Sequence, residues 1–340
     1  MSRPLSIVAA ICIFALVAGA AGCSSASSPT PASQVHWNGI QKEPQAVGKW
    51  TTKAPMPTAR EALAAGVVNG ILYTVGGCCT SDGSAWNTVE AYDPATNSWT
   101  TKASMPTARM NLAAGVVNGI LYAVGGLNPH LNPEILNTVE AYDPAANTWT
   151  TKAPMPTPRL SLAAGVVNGK LYAVGGDSPS CANQDCNTVE AYDPSTGTWT
   201  TEAPMPTARY QFAVGVVQGK LYAVSGCCNQ ISGAPLNIVE AFDPAANTWT
   251  TKAPVPTARY GLSASVLGEI LYAIGGSNQF TDFGTVEAYD PATDSWTTKT
   301  PMPTPRFAVS SRTIGGRIFA VGGETGRFLH KVEAFNPRKP

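Results

Sequence analysis

Histidine is almost absent from this sequence, with three in 340 residues. Charge is sparse too: charged side chains make up 13% of the chain, and 22 basic residues balance 22 acidic ones. A neutral chain without a basic block lacks the electrostatic footprint of a nucleic-acid partner. No Gly-rich phosphate loop, HExxH pair or nucleophile elbow occurs. Phosphoryl transfer, zinc proteolysis and elbow-type hydrolysis therefore lack their usual carriers, and neither a metal nor a cofactor is expected. What abounds is Gly (32) and Pro (28), with Thr and Val recurring throughout. That composition suits short strands joined by turns rather than helices. The length would allow two domains, but all-β domains often run long as single units.

The N-terminus reads as an export signal. "MSRPLSIVAAICIFALVAGAAGCSS" has one early positive charge, Arg3, then an apolar core from about Leu5 to Ala18, then small residues. The uncharged run approaches the length of a membrane span, but the small residues at its end favour cleavage. "AAGC", Ala20 to Cys23, resembles the lipobox of bacterial lipoproteins, in which the cysteine is acylated and becomes the new N-terminus. The departure is Ala20, where that family usually has Leu; ordinary cleavage near Ala20 is the alternative. The expected organisation is a signal peptide over 1–22, a Ser/Pro-rich tether over 23–46 and a folded domain over 47–340. Either cleavage exports the domain, as a lipid-anchored protein in the periplasm or on the cell surface if Cys23 is acylated, and disulfides persist there.

The chain repeats itself at a nearly fixed interval. Trp50, Trp99, Trp149, Trp199, Trp249 and Trp296 are spaced by 49, 50, 50, 50 and 47 residues. Each begins a block such as "WTTKAPMPTAR", followed by "LAAGVVNGILYAVGG", an irregular stretch, and "NTVEAYDPAANTW". A period of about fifty residues signals repeated supersecondary units sharing a core. Each unit holds four strand-like pieces. "LAAGVV" suits a buried inner strand, and "ILYAVGG" is a second apolar run. "NTVEAYD" alternates, and "NTWTTKA" is a polar outer edge. "NG" and "DPAAN" carry turn chemistry between them. Four-stranded antiparallel units at this spacing make a radial β-propeller.

These blocks resemble the kelch repeat. Its marks are a Gly-Gly pair ending the second strand, a Tyr ahead of it and a Trp on the fourth strand. The pairs are Gly76-Gly77, Gly125-Gly126, Gly175-Gly176, Gly275-Gly276 and Gly322-Gly323, with Ser225-Gly226 departing in the fourth unit. The Tyr is Tyr73, Tyr122, Tyr172, Tyr222 and Tyr272, with Phe319 in the last. The resemblance implies an all-β, six-bladed kelch-type propeller. The last copy lacks a Trp strand, and the first Trp strand, around Trp50, has no strands before it. The N-terminal strand should therefore close the final blade, which leaves no exposed edge.

The six copies serve as an internal alignment. Variation collects between the second and third strands ("CCTSDGSAW", "LNPHLNPEIL", "DSPSCANQDC", "CCNQISGAPL", "SNQFTDFG", "ETGRFLHK") and just after the repeated Arg (Glu61, Met110, Leu160, Tyr210, Tyr260, Phe307). Both places lie at one end of an antiparallel blade, around the channel mouth, where a rigid scaffold carries binding loops. Tyr210, Tyr260, Phe307, His130 and His330 are candidates there. The repeated Arg60, Arg109, Arg159, Arg209, Arg259 and Arg306 have two readings. They could ring the mouth and hold an anion. Or each could pair with Glu90, Glu140, Glu190, Glu240, Glu287 or Glu333 of the "VEA" strands, which their equal repetition favours. A copper oxidase resembling galactose oxidase would need paired His and Tyr ligands with a cross-linked Cys, which two His in separate loops do not supply.

Apart from Cys12 and Cys23, every cysteine lies in the variable loops. Cys181 and Cys186 bracket a loop that a local disulfide could close. Cys78-Cys79 and Cys227-Cys228 fall in units one and four, which face each other across a six-bladed ring, too far apart for a bridge. Vicinal bonds are the expected pairing, strained because adjacent Cα atoms sit only about 3.8 Å apart. Such plates could stack against a sugar or merely stiffen their loops; soft-metal binding by thiolates is a weaker option in an oxidising compartment. The functional expectation is a non-catalytic scaffold binding a glycan or protein through its loop face. The alternative is a carbohydrate-active enzyme resembling exported sialic acid mutarotases. That alternative predicts at least one of the six arginines left without a Glu.

Overall fold

The structure, a computed structural model, describes residues 48–78, 83–227 and 234–338. The expected signal peptide, the expected lipidation site Cys23 and the expected tether lie outside the described residues. What is described consists of six four-stranded antiparallel sheets, with no α-helix among the described residues.

The first strand, β1 (Lys49–Thr52), stands apart from the sheet that follows it. Blade 1 is β2 (Ala64–Val68), β3 (Ile71–Val75), β4 (Val89–Asp93) and β5 (Ser98–Thr101), in that order outward from the axis. Strands β6–β9, β10–β13, β14–β17 and β18–β21 repeat the order over Ala113–Lys152, Ala163–Thr201, Ala213–Lys252 and Ser263–Lys299. Blade 6 holds β22 (Ser310–Ile314), β23 (Arg317–Val321) and β24 (Val332–Asn336), and its fourth strand is β1. Trp50 stands opposite Phe335 in that pairing, so the N-terminal strand closes the C-terminal blade as expected.

Local chemistry explains the strand joints. In the β2–β3 hairpin Asn69 and Gly70 have φ of 49° and 78°. A type I′ turn requires positive φ at both central residues, and Asn-Gly meets it with least strain. The third-to-fourth turns begin with an Asp side chain accepting from the backbone two residues on, as Asp93 Oδ1 does from Ala95 N at 2.8 Å.

The core lies between blades. Leu121 of β7 (Ile120–Val124), Val75 and Tyr142 are fully buried in one interblade cluster, and each such side chain contributes about 1.5–3 kcal/mol. In β4, Val89, Glu90, Ala91 and Tyr92 are all buried. The alternation read from "NTVEAYD" therefore does not separate core from solvent, because neighbouring blades cover both faces. Indole N–H groups latch each outer strand to the connection from the preceding blade: Trp99 to Ala54 O at 3.0 Å, Trp149 to Ala103 O at 2.9 Å. In blade 3, β11 (Lys170–Asp177) and β12 (Asp185–Asp193) run longer than their counterparts.

Candidate binding site at the channel mouth

A layer of six ion pairs lies beneath the mouth. Arg60–Glu90 is 2.8 Å, Arg109–Glu140 2.7 Å, Arg159–Glu190 2.6 Å, and Arg209–Glu240 and Arg306–Glu333 are 3.0 Å each. Arg259 pairs with Glu287. All six arginines have zero exposure. The reading of Arg60, Arg109, Arg159, Arg209, Arg259 and Arg306 as ligand-holding groups therefore gives way to the structural one. Burial pushes Arg60, Arg109 and Arg306 down to about 10, partly offset by their glutamates, so they stay charged at neutral pH.

The other carboxylate oxygen of each Glu is taken by the Thr two residues before the Arg. Thr58 Oγ1 donates to Glu90 Oε1 at 2.8 Å, and Thr107, Thr157, Thr207, Thr257 and Thr304 do likewise. The repeated "PTAR", which reads "PTPR" in blades 3 and 6, is thus a two-pronged grip on one carboxylate, charge-assisted on both prongs. The Gly-Gly pair serves the same layer. Arg60 Nη1 donates to Gly76 O at 2.8 Å, and Gly77 N donates to the Arg109 carbonyl of the next blade at 3.0 Å. A Cβ on Gly76 would stand 2.5 Å from that carbonyl, and its φ is +64°. Ser225 accepts this conformation with φ 64° and turns the crowding into hydrogen bonds: its Oγ accepts from Arg259 N and lies within donating reach of Arg259 O and Leu236 O, which share its single proton.

Just above lies a belt of backbone hydrogen bonds. Asn111 N donates to Ala62 O, Ser161 N to Asn111 O, Gln211 N to Ser161 O, Gly261 N to Gln211 O and Ala308 N to Gly261 O, at 2.8–3.0 Å; Ala62 N closes it to Ala308 O at 3.4 Å. All six belt residues have φ of 49–61°. The belt fixes the residue before each member, which is the variable one. Each variable residue is bridged to the residue after the glycine pair: Glu61 to Cys78, Met110 to Leu127, Leu160 to Asp177, Tyr210 to Cys227, Tyr260 to Ser277 and Phe307 to Glu324. Both sets of variable positions thus meet at the mouth, as the internal alignment implied.

Their chemistry is uneven around the ring. Tyr210, Tyr260 and Phe307 occupy three consecutive blades and are each partly exposed. Acids flank them. Glu61 hydrogen-bonds Glu324 of the adjacent blade, and burial with that neighbouring carboxylate pushes Glu61 up to about 8. Asp177 is pushed up to about 6 by burial and by Asp185. Burial, then Cys227 and these two aspartates, raises the Tyr210 phenol. The sequence does not show these acid pairs, because Glu61 and Glu324 lie in the first and last blades, and Asp177 and Asp185 come opposite each other only in the β11–β12 register. His130 and His330 are exposed on separate blades; His130 contacts Ser84 Oγ at 3.2 Å. Among the described residues no three His, Cys, Asp or Glu side chains gather as a metal site.

Cys181 and Cys186 form a disulfide with Cα atoms 5.2 Å apart, closing the loop between β11 and β12. Cys78 is disulfide-bonded and buried. Cys227 is buried beside Tyr210. Cys79 and Cys228, the expected vicinal partners, lie outside the described residues.

The inner strands hold a further irregularity that the internal alignment displays and the sequence reading did not use. Blades 1–3 read Ala-Ala-Gly-Val-Val and blade 4 Ala-Val-Gly-Val-Val, but blade 5 reads Ser263-Ala264-Ser265 and blade 6 Ser310-Ser311-Arg312-Thr313.

Comparison with known proteins agrees with this architecture. The family model for the KLHDC2/KLHL20/DRC7 Kelch-repeats domain matches residues 41–176 and 150–323. A solved structure described as "Structure of YjhT" is similar in fold, with a TM-score of 0.69 and 18% identity, over 82% of this chain and 94% of that one. No curated protein matches the chain. With six Gly-marked blades, a Trp latch on each and a family match across most of its length, the chain belongs to the kelch-repeat propeller family.

Proposed function

We propose that this propeller is an exported, lipid-anchored binding scaffold without a catalytic role, and that its loop face takes a glycan. The observation that carries the reading is the arc of Tyr210, Tyr260 and Phe307 on adjacent blades, flanked by the Glu61–Glu324 and Asp177–Asp185 pairs. Aromatic faces accept the apolar face of a sugar ring, and buried carboxyl groups orient its hydroxyls. The same charges disfavour an anionic sugar. The mutarotase alternative loses the repeated arginines on which it relied, since each is engaged with a glutamate.

A protein partner is the second reading. It draws support from Phe280, 89% exposed on the blade 5 loop, from Phe328 on the adjacent blade 6 loop and from Leu131 on the blade 2 loop.

Saturation-transfer NMR of the mature chain against neutral sugars and freshly dissolved sialic acid tests the proposal. Transfer to a neutral sugar, lost in Tyr260→Ala with an unchanged melting midpoint, is expected. Transfer to sialic acid with accelerated anomer exchange would overturn the non-catalytic reading. Absence of transfer to every sugar would overturn the glycan reading and leave the protein partner.

A further inference from the structure

A second cavity, of about 100 Å³, lies inside the channel below the mouth. Leu63, Leu112, Leu162, Phe212 and Leu262 line both it and another cavity, beside the belt residues, that Val309 also lines. Its walls are mostly alanine, but on the side of blades 5 and 6 they carry Ser263, Ser310 and Arg312. Arg312 takes the position that glycine holds in blades 1–4 and serine in blade 5.

Its guanidinium reaches across the channel. Nη1 donates to Ser311 O at 2.7 Å and Nη2 to Ala114 O of blade 2 at 3.4 Å. A guanidinium has five N–H donors, so most of them have no protein acceptor. Among the described residues no carboxylate pairs with Arg312, unlike the six repeated arginines. Burial lowers its pKa only to about 10, so it is cationic at neutral pH. Arg312 is half-buried, and its charge stands in the channel without a protein counter-charge.

The serines add a directed donor. Ser263 Oγ accepts from both the backbone N and the hydroxyl of Ser311, each at 2.9 Å. Ser311 Oγ in turn lies 2.8 Å from Ser265 Oγ. With both lone pairs of Ser263 Oγ taken, its own O–H is left to donate, and Ser263 is a cavity-wall residue. The lining thus offers a cation and a hydroxyl donor, with no acid to balance them. The volume suits a small anion, a water having about 30 Å³ in the liquid.

We propose that this cavity is an anion site, in which Arg312 and the Ser263 hydroxyl bind a small monovalent anion of halide size. It is separate from the sugar-binding mouth and does not depend on it. The anion supplies the counter-charge that each of the six buried arginines takes from a glutamate, and it links the Arg312 of blade 6 to the Ser263 of blade 5.

The test uses the mature chain in chloride, in bromide and in gluconate, which is too large for the cavity, at matched ionic strength. The melting midpoint should stand roughly 3 °C higher in either halide than in gluconate. Crystals grown in bromide should give an anomalous peak beside Arg312. Arg312→Gln keeps a polar amide donor at the cavity wall but removes the charge, and should lose both the peak and the halide dependence. If that variant does not fold, the wild-type measurements decide alone. Equal midpoints in all three salts, with only water beside Arg312 in bromide crystals, would overturn the proposal.

Discussion

Trp50 donates its indole N–H to the carbonyl of Thr300 at 2.9 Å, across 250 positions of sequence. In the other blades the same bond spans 43–46 residues. One latch thus performs two tasks: it joins neighbouring blades, and at the seam it shuts the ring. Trp50 also meets Phe335 with ring centroids 5.0 Å apart.

Trp50→Ala should therefore destabilise the whole propeller, not one strand. The loss expected for a buried aromatic is about 3–5 kcal/mol. Urea unfolding followed by tryptophan fluorescence should show a lower midpoint. Trp199→Ala, whose side chain is more exposed, should cost less.

The ion-pair layer predicts an asymmetry. Glu140→Gln leaves the Arg109 charge buried without its counter-charge and should cost about 3–5 kcal/mol. Replacing Arg109 and Glu140 together by Met should cost less than the single change, because no charge is then left buried. A double-mutant cycle by chemical denaturation measures the difference.

Stability should fall as pH rises through the acid range towards neutrality. Glu61 titrates near 8 in the folded protein, against 4.5 ordinarily, and Asp177 near 6 against 3.8. Between those values the folded state binds more protons than the unfolded one, so unfolding becomes easier with increasing pH. Melting midpoints from pH 4.5 to 8 should decline. Glu61→Gln should flatten the curve and raise the midpoint at its upper end.

The Cys181–Cys186 disulfide closes a short loop. Replacing both cysteines by Ser should cost about 2 kcal/mol by loop-closure entropy. Calorimetry of the double variant, with thiol counting of the parent, checks both the bond and its weight.

Repetition made the fold legible. Six Trp at near-equal intervals, the Asn-Gly turns and the unmatched first Trp strand imply six blades and a seam closed by the N-terminus, before any coordinate is known. The same repetition pointed to Arg–Glu pairing. The second grip on each glutamate was not legible, because Thr58 and its equivalents sit in a Thr-rich chain where one more hydroxyl carries no signal. The Glu61–Glu324 pair escaped because its members lie in the first and last blades, and only ring closure makes them neighbours.

Turn chemistry, strand patterning and blade count are local or periodic properties, so the amino-acid order alone determines them. Which charges meet is different. It depends on how the blades wrap around one axis, since that packing buries six arginines beneath the mouth, sets Tyr210, Tyr260 and Phe307 on one arc, and sends Arg312 into the channel. The energy of a charge depends on its burial and its partner, and here both are decided by residues tens to hundreds of positions away.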